Sequence, residues 1–385
     1  MIRFTTAGES HGEAVIVVVE GIPAGLTINL EDINVELRRR QGSYGRGGRM
    51  DIENDVVKIL SGVRYGKSIG SPITMLIANK DFKNWTDIMS PTSHKSKKSI
   101  LSNPRPGHAD LVGLMKYDVN DFRDILERAS ARETVARVAA GSVCRVLLKE
   151  FGTSIMSYTS QIGAVKAEVS FADENKIWND TDKSCVRCPD SAASKKMVKL
   201  IDKAKSNGDT LGGKTVILAK NVLIGLGSHT QWDLKLDGRL AQSLISIQAI
   251  KSVEFGLGTS LAGCLGSISH DEIFYSKTRG FYRKTNRAGG IEGGISNGEI
   301  IVITCTMKAI PSLVNSLQSV NIITKKPVKA ELVRSDVCAV PAVGVVAEAA
   351  VAIELAKALK EKFGGDSLKD MKKNVGMYQK RLRTL

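Results

Sequence analysis

The sequence predicts an α+β fold built as one unit. Three observations predict it. Short β-branched runs are bounded by glycine turns, longer stretches carry apolar residues at helical spacing, and the second half faintly echoes the first. No linker-like stretch divides the chain, so a single domain over residues 1–385 is expected. The composition is 42% hydrophobic and 25% charged, ordinary for a chain that buries a large core. Aromatic residues are only 5% while glycines number 36, which points to small-residue packing and many tight turns.

Val15 to Val19 is a β-branched run that ends at the turn Gly21-Ile-Pro-Ala-Gly25, so a buried strand is expected. A short helix follows to Arg40, with Leu30, Ile33 and Leu37 as its apolar face. Val56 to Val63 and Ile73 to Ile77 read as further strands. Lys83 to Ser102 is polar and lysine-rich and reads as an exposed, mobile loop over 83–102. Ser130-Ala-Arg-Glu133 has the spacing of a capping box, and the apolar pattern beyond it predicts a helix from Ser130 to Phe151, stopped at Gly152. The positive end of that helix, beside Arg128 and Arg132, is a ready anion site. In the second half, Lys214 to Ala219 reads as a strand and Asp237 to Ile247 as a helix. Gly258 to Ser267 resembles Gly62 to Ser71 in glycine spacing. Val343 to Phe363 reads as a buried helix ended by Gly364 and Gly365, and 369–385 as a peripheral basic tail.

The net charge of +15 favours anionic partners: nucleic acid, a membrane surface or phosphorylated metabolites. The six cysteines are scattered, and Cys185-x-x-Cys188 lacks a second pair or nearby histidines at zinc spacing, so reduced cysteines in a cytoplasmic protein are expected, with a redox pair as the lesser reading. No secretory signal pattern opens the chain, and Pro341, Gly344, Glu348 and Glu354 interrupt its most apolar stretch, which argues against a membrane span.

The most telling segment is RRRQGSYGRGGR, from Arg38 to Arg49. It holds five arginines and no lysine, although the whole chain has 34 lysines and 21 arginines. A guanidinium grips phosphate or carboxylate as a planar fork, whereas an ammonium is a point charge. The run reads as an anion-gripping loop; a solvated basic loop or an RNA-binding arm are the alternatives. Sparse aromatics leave an RNA-binding protein short of stacking platforms. His11 (in Gly8-Glu-Ser-His-Gly12) and His108 (in Arg105-Pro-Gly-His-Ala-Asp110) lie in turn-forming sequence, where an imidazole of ordinary pKa about 6.5 suits proton transfer. Asp336, beside Arg334, is a candidate base or an ion-pair partner. No metal-ligand spacing, Walker loop or dinucleotide fingerprint appears, so no metal is expected.

At these residues the chain resembles the chorismate synthases. The resemblance is carried by GESHG (Gly8–Gly12), RRRQGSYGRGGRM (Arg38–Met50), RPGHADL (Arg105–Leu111), RASARETVARVAAG (Arg128–Gly141), SIQAIKSVEFG (Ser246–Gly256), NRAGGIEGGISNG (Asn286–Gly298), RSDVCAVPA (Arg334–Ala342) and FGGDS (Phe363–Ser367), in that order. It implies a lyase of the shikimate pathway that removes phosphate from 5-enolpyruvylshikimate 3-phosphate by anti 1,4-elimination, giving chorismate. The reaction needs reduced FMN without net redox change. The implied fold is a single α+β domain with an internal duplication, helices sandwiched between antiparallel β-sheets, assembled as a homotetramer.

By the same resemblance the catalytic residues are His11, His108 and Asp336. His11 is the implied proton donor to the phosphate, His108 the partner of the flavin ring, and Asp336 the basic partner in removing the remaining hydrogen. The implied cofactor contacts are Arg128, Ala129, Ser130, Gln248, Ala249, Gly293, Lys308, Ala309, Ile310, Pro311, Ser312 and Arg334. The implied substrate contacts are Ser10, Arg40, Arg46, Arg49, Arg105, Arg132 and Arg334. Ala309 stands where the family often has proline. Arg38 adds a third arginine to a pair, and the spacing to Arg46 favours Arg40 as the ligand-facing one. Some relatives also oxidise NADPH to reduce flavin; with no added domain or dinucleotide loop here, an external flavin reductase is the expected source, with no nucleic acid or membrane partner.

Overall fold

In a computed structural model the described residues are 1–47, 54–92, 100–170, 174–333 and 335–384. Strand Ala14–Glu20 turns Val15, Val17 and Val19 into the core, opposite Ile77, Met75 and Ile73 of strand Ile73–Ala78. Side chains alternate faces along a strand, so this register buries both valine and isoleucine rows together. Arg3–Ala7 and Val57–Ile59 complete an antiparallel sheet on either side of that pair. The second sheet is also antiparallel, in the order Ile250–Phe255, Ile301–Met307, Gly213–Lys220, Ser154–Ile162, Val165–Lys166.

Two helices lie between the sheets. Thr134–Lys149 packs on the first sheet and Val340–Phe363 on the second, and the two pack on each other. The small residues explain how close they come: a Cβ on Gly141 would lie 2.4 Å from Ala349 Cβ and 2.5 Å from its Cα. One hydrophobic cluster runs from Ile2 to Val375. Within it the fully buried Glu348 is gripped by Arg39, Arg145 and Arg187 and by the Ser157 hydroxyl.

Several elements differ from the sequence expectation. The helix expected from Ser130 begins as a 3₁₀ turn at Ala131–Glu133 and becomes α-helical at Thr134. The Val340–Phe363 helix starts before Pro341, because a proline in the first turn gives up no helical hydrogen bond. Leu30 is exposed, and Arg40 takes its place on the buried face of helix Leu30–Gln41. The strand read over Val56–Val63 breaks at Gly62 (φ +82°), where a Cβ would meet the Pro72 carbonyl at 2.6 Å. Gly258–Gly263 is a 3₁₀ helix whereas Val63–Arg64 and Lys67–Ser68 form a hairpin, so their glycine spacing does not reflect matching structure. The loop read over 83–102 begins on a 3₁₀ helix, Lys80–Asn84, and residues 93–99, with His94, lie outside the described ones. The basic tail is a helix, Leu368–Leu382, that buries Leu368, Met371 and Val375. All six cysteines are free. No helix among the described residues is long and apolar enough to cross a membrane.

Candidate active site

Separate stretches of chain meet at a cavity of about 530 Å³. The turn after the first strand brings Ser10 and His11. The end of helix Leu30–Gln41 brings Arg40, and the arginine-glycine run adds Arg46 and Gly47. Arg105, Gly107 and His108 come from a turn, and Ala129 to Arg132 from the approach to the Thr134–Lys149 helix. The remaining wall is largely apolar, including Leu126, Ile247, Met307, Ile310, Pro311, Val343 and Val346.

His11 is held from two sides. Its Nδ1 lies 2.9 and 3.1 Å from the Glu127 carboxylate oxygens, and its backbone N–H donates to Glu127 Oε2 at 2.8 Å. A carboxylate only accepts, so Nδ1 carries hydrogen and Nε2 is the nitrogen left for other work. The ring stacks on Trp85 with centroids 3.9 Å apart. The neighbouring hydroxyls of Ser10 and Ser130 are 3.1 Å apart.

His108 is arranged alike. Its Nδ1 contacts Asp110 Oδ1, and Arg105 grips the same carboxylate with Nε and Nη2 at 2.8 and 3.0 Å. Burial alone would raise the Asp110 carboxyl, but the hydrogen bonds from His108 and Arg105 bring it down to about 2. Arg105 also donates to Ser312 Oγ at 2.8 Å, so it braces the His108 turn against the 308–312 segment. Lys308 Nζ donates to the Gly107 carbonyl from that same segment.

Arg40 and Arg132 share one buried carboxylate. Arg132 Nη1 lies 2.6 Å from Asp55 Oδ1 and Arg40 Nη1 3.4 Å from Oδ2. Two cations on one anion leave a net positive charge at the cavity wall. Burial pulls the Arg40 guanidinium below its ordinary range, with Asp55 opposing and Arg46 and Arg132 adding to the effect. Asp336 accepts from the Gly47 N–H at 2.7 Å and pairs with Arg46 at 3.3 Å, which fastens the arginine loop to the cavity rim.

Gln248 Oε1 is buried with no hydrogen-bond partner among the described residues, and Gln248 lines the cavity. The next residue, Ala249, holds φ +69°, a conformation costly for a side chain with a Cβ.

A family model described as Chorismate synthase matches residues 2–359. The chorismate synthase of Endomicrobium trichonymphae is 73% identical over 385 residues, covering 100% of both chains. That of Sulfurihydrogenibium sp. (strain YO3AOP1) is 52% identical over 384 residues, covering 98% of each. The chain belongs to the chorismate synthase family. A crystal structure of chorismate synthase superposes with a TM-score of 0.82 at 41% identity, covering 100% of this chain and 99% of that one. The fold is the chorismate synthase fold.

Against that family's pattern, the cavity gathers Ser10, His11, Arg40, Arg46, Arg105, His108, Ala129, Ser130, Arg132, Gln248, Ala249, Lys308, Ile310, Pro311, Ser312 and Asp336. Arg128 is not in the lining; it donates to the Thr6 and Gly8 carbonyls, both at 3.1 Å. Gly293 sits in the turn between strands Ile291–Glu292 and Ile295–Ser296, away from the lining, and Ala309 is flanked by lining residues without being one. Arg49 and Arg334 lie outside the described residues. Sequence reasoning missed Glu127, Asp55, Asp110, Glu133 and Trp85. Trp85 had a signal: a large aromatic inside a polar, lysine-rich stretch.

Proposed function

We propose that the protein catalyses its family's reaction in this cavity, eliminating phosphate from 5-enolpyruvylshikimate 3-phosphate to give chorismate. The observation that carries this reading is the pairing of two histidines, each tied at Nδ1 to a buried carboxylate, with a guanidinium cluster at one cavity wall.

The cavity suits FMN. An apolar wall matches a flat tricyclic ring, the Gln248 Oε1 acceptor awaits a donor, and Lys308 supplies a cation at the edge. Gln248, Lys308 and the apolar wall would hold the reduced flavin, which would supply electron density for the elimination.

The chain's own residues do the rest. Arg40, Arg132 and Arg46 offset the negative charge of a substrate that carries one phosphate and two carboxylates. His11, oriented at Nδ1 by Glu127, presents Nε2 to a phosphate oxygen as the proton donor; a protonated phosphate leaves more readily. Ser10 and Ser130 offer hydroxyls beside it. His108 is tied through Arg105 and Gly107 to Ser312 and Lys308, which supports its place on the cofactor side. Asp336 is the basic partner for the departing hydrogen, held by Arg46 and the Gly47 N–H.

In this reading the protein is a cytoplasmic homotetramer and receives reduced flavin from another protein. Self-association is supported by the exposed Ile273, Tyr275 and Phe281 on the hairpin formed by Ile273–Ser276 and Gly280–Arg283. The test is to incubate purified protein with substrate and dithionite-reduced FMN without oxygen. Phosphate release supports the function, and its absence overturns it.

A further inference from the structure

We propose that Glu133 is a positioning residue of the cofactor pocket: it turns the Gln248 amide so that Oε1 accepts a hydrogen bond from a ring N–H of FMN. This rests on the reading that FMN occupies the cavity.

The capping-box pattern would send the Glu133 carboxylate back to the Ser130 N–H. That N–H instead donates to the Leu126 carbonyl at 3.0 Å. The carboxylate is thereby released from the helix start. It accepts from Arg137 Nε at 3.1 and 3.0 Å, from Thr6 Oγ1 at 3.2 Å and from Gln248 Nε2 at 3.3 Å. A local sequence rule set aside beside a cavity points to a task in that cavity.

The orientation of Gln248 follows from donor chemistry. A carboxylate has no hydrogen to give, so only the NH₂ end of the amide can face Glu133. Oε1 must then face the other way, and this buried acceptor has no hydrogen-bond partner among the described residues. Leaving such an atom unmatched costs stability that a ligand donor would recover. The clamp extends further. Arg137 Nη1 donates to Ser246 Oγ at 2.7 Å, two residues before Gln248, and the strained Ala249 follows directly.

Arg128 joins this network from outside the cavity. It donates to the Thr6 carbonyl and hydroxyl, and Thr6 donates to Glu133. The chain Arg128, Thr6, Glu133, Gln248 places Arg128 behind the pocket and lets it act through the amide. The flavin ring bears an N–H at N3 in both oxidation states, and reduction adds one at N5, so it has donors for this oxygen.

Affinity for FMN, oxidised and dithionite-reduced, measured by fluorescence and absorbance titration, tests the assignment in Glu133→Leu, Gln248→Met and the double variant. Thermal unfolding of the flavin-free proteins accompanies each. Each single variant is expected to lose roughly three- to tenfold in affinity in at least one oxidation state. The double variant is expected to lose no more than the worse single, since both remove one hydrogen bond. A merely structural role would lower the unfolding temperature without this coupling. Unchanged affinity in the singles, or losses that multiply in the double, overturn the assignment. Wild-type protein that binds FMN in neither state overturns the cofactor reading itself.

Discussion

Glu127 reaches the Nδ1 of His11 with both carboxylate oxygens, at 2.9 and 3.1 Å, across 116 residues of sequence. The pairing fixes the tautomer and steadies the imidazolium that a proton donor must hold. Glu127→Gln keeps the shape and removes the charge. Its kcat should fall about 10- to 100-fold while KM changes little. Anaerobic steady-state kinetics with reduced FMN check this, and wild-type kcat would separate Glu127 from the chemistry.

Asp110 gives a pH signature. Its carboxyl is at about 2, against an ordinary 3.8. Between those values the unfolded chain binds the proton and the native one does not, so stability rises with pH there. The contribution is full above about 4 and fades as pH falls towards 2; it is worth about 1–2 kcal/mol. Urea unfolding from pH 5 to 2.5 should show a shallower loss in Asp110→Asn than in the wild type.

Glu348 joins two layers of the fold. Burial works against its charge, yet Arg39, Arg145 and Arg187 hold its carboxyl well below the usual range. Glu348→Ala leaves three guanidinium groups without their shared anion and should destabilise the protein by about 3–5 kcal/mol in chemical denaturation. An unchanged midpoint would show that water or Glu36 compensates.

Gly141→Ala tests the helix contact between the sheets. The added methyl would lie well inside van der Waals contact distance of Ala349, 2.5 Å from its Cα and 2.8 Å from its carbonyl oxygen. Separation of the helices should cost about 1–3 kcal/mol, read as a lower thermal midpoint.

The sequence made the strands with β-branched runs legible, and with them the turn-borne histidines and the arginine run, because each rests on local residue types. The carboxylates that organise the site were not legible. Glu127 lies on a short helix, where an acidic residue looks like any solvated one, and its partner His11 is 116 residues away in the sequence. Asp55 gains its meaning from Arg132, 77 residues away. The spacing to Arg46 favours Arg40 as the ligand-facing member of its run; the structure places it on the buried face of its helix with Ile33 and Leu37 and in the cavity lining. Glu133 was read as a cap because the local rule favours one, and tertiary contacts with Arg137 and Gln248 prevailed.

One cavity couples proton delivery from His11 to phosphate departure. A single-turnover experiment without oxygen, with reduced FMN and enzyme in excess over substrate, measures it most directly in wild type and His11→Asn. The wild type should give one phosphate and one chorismate per substrate with no net flavin oxidation, and the variant a rate at least about 100-fold lower. A variant that releases phosphate at the wild-type rate, or a wild type that oxidises flavin as it turns over, would contradict it.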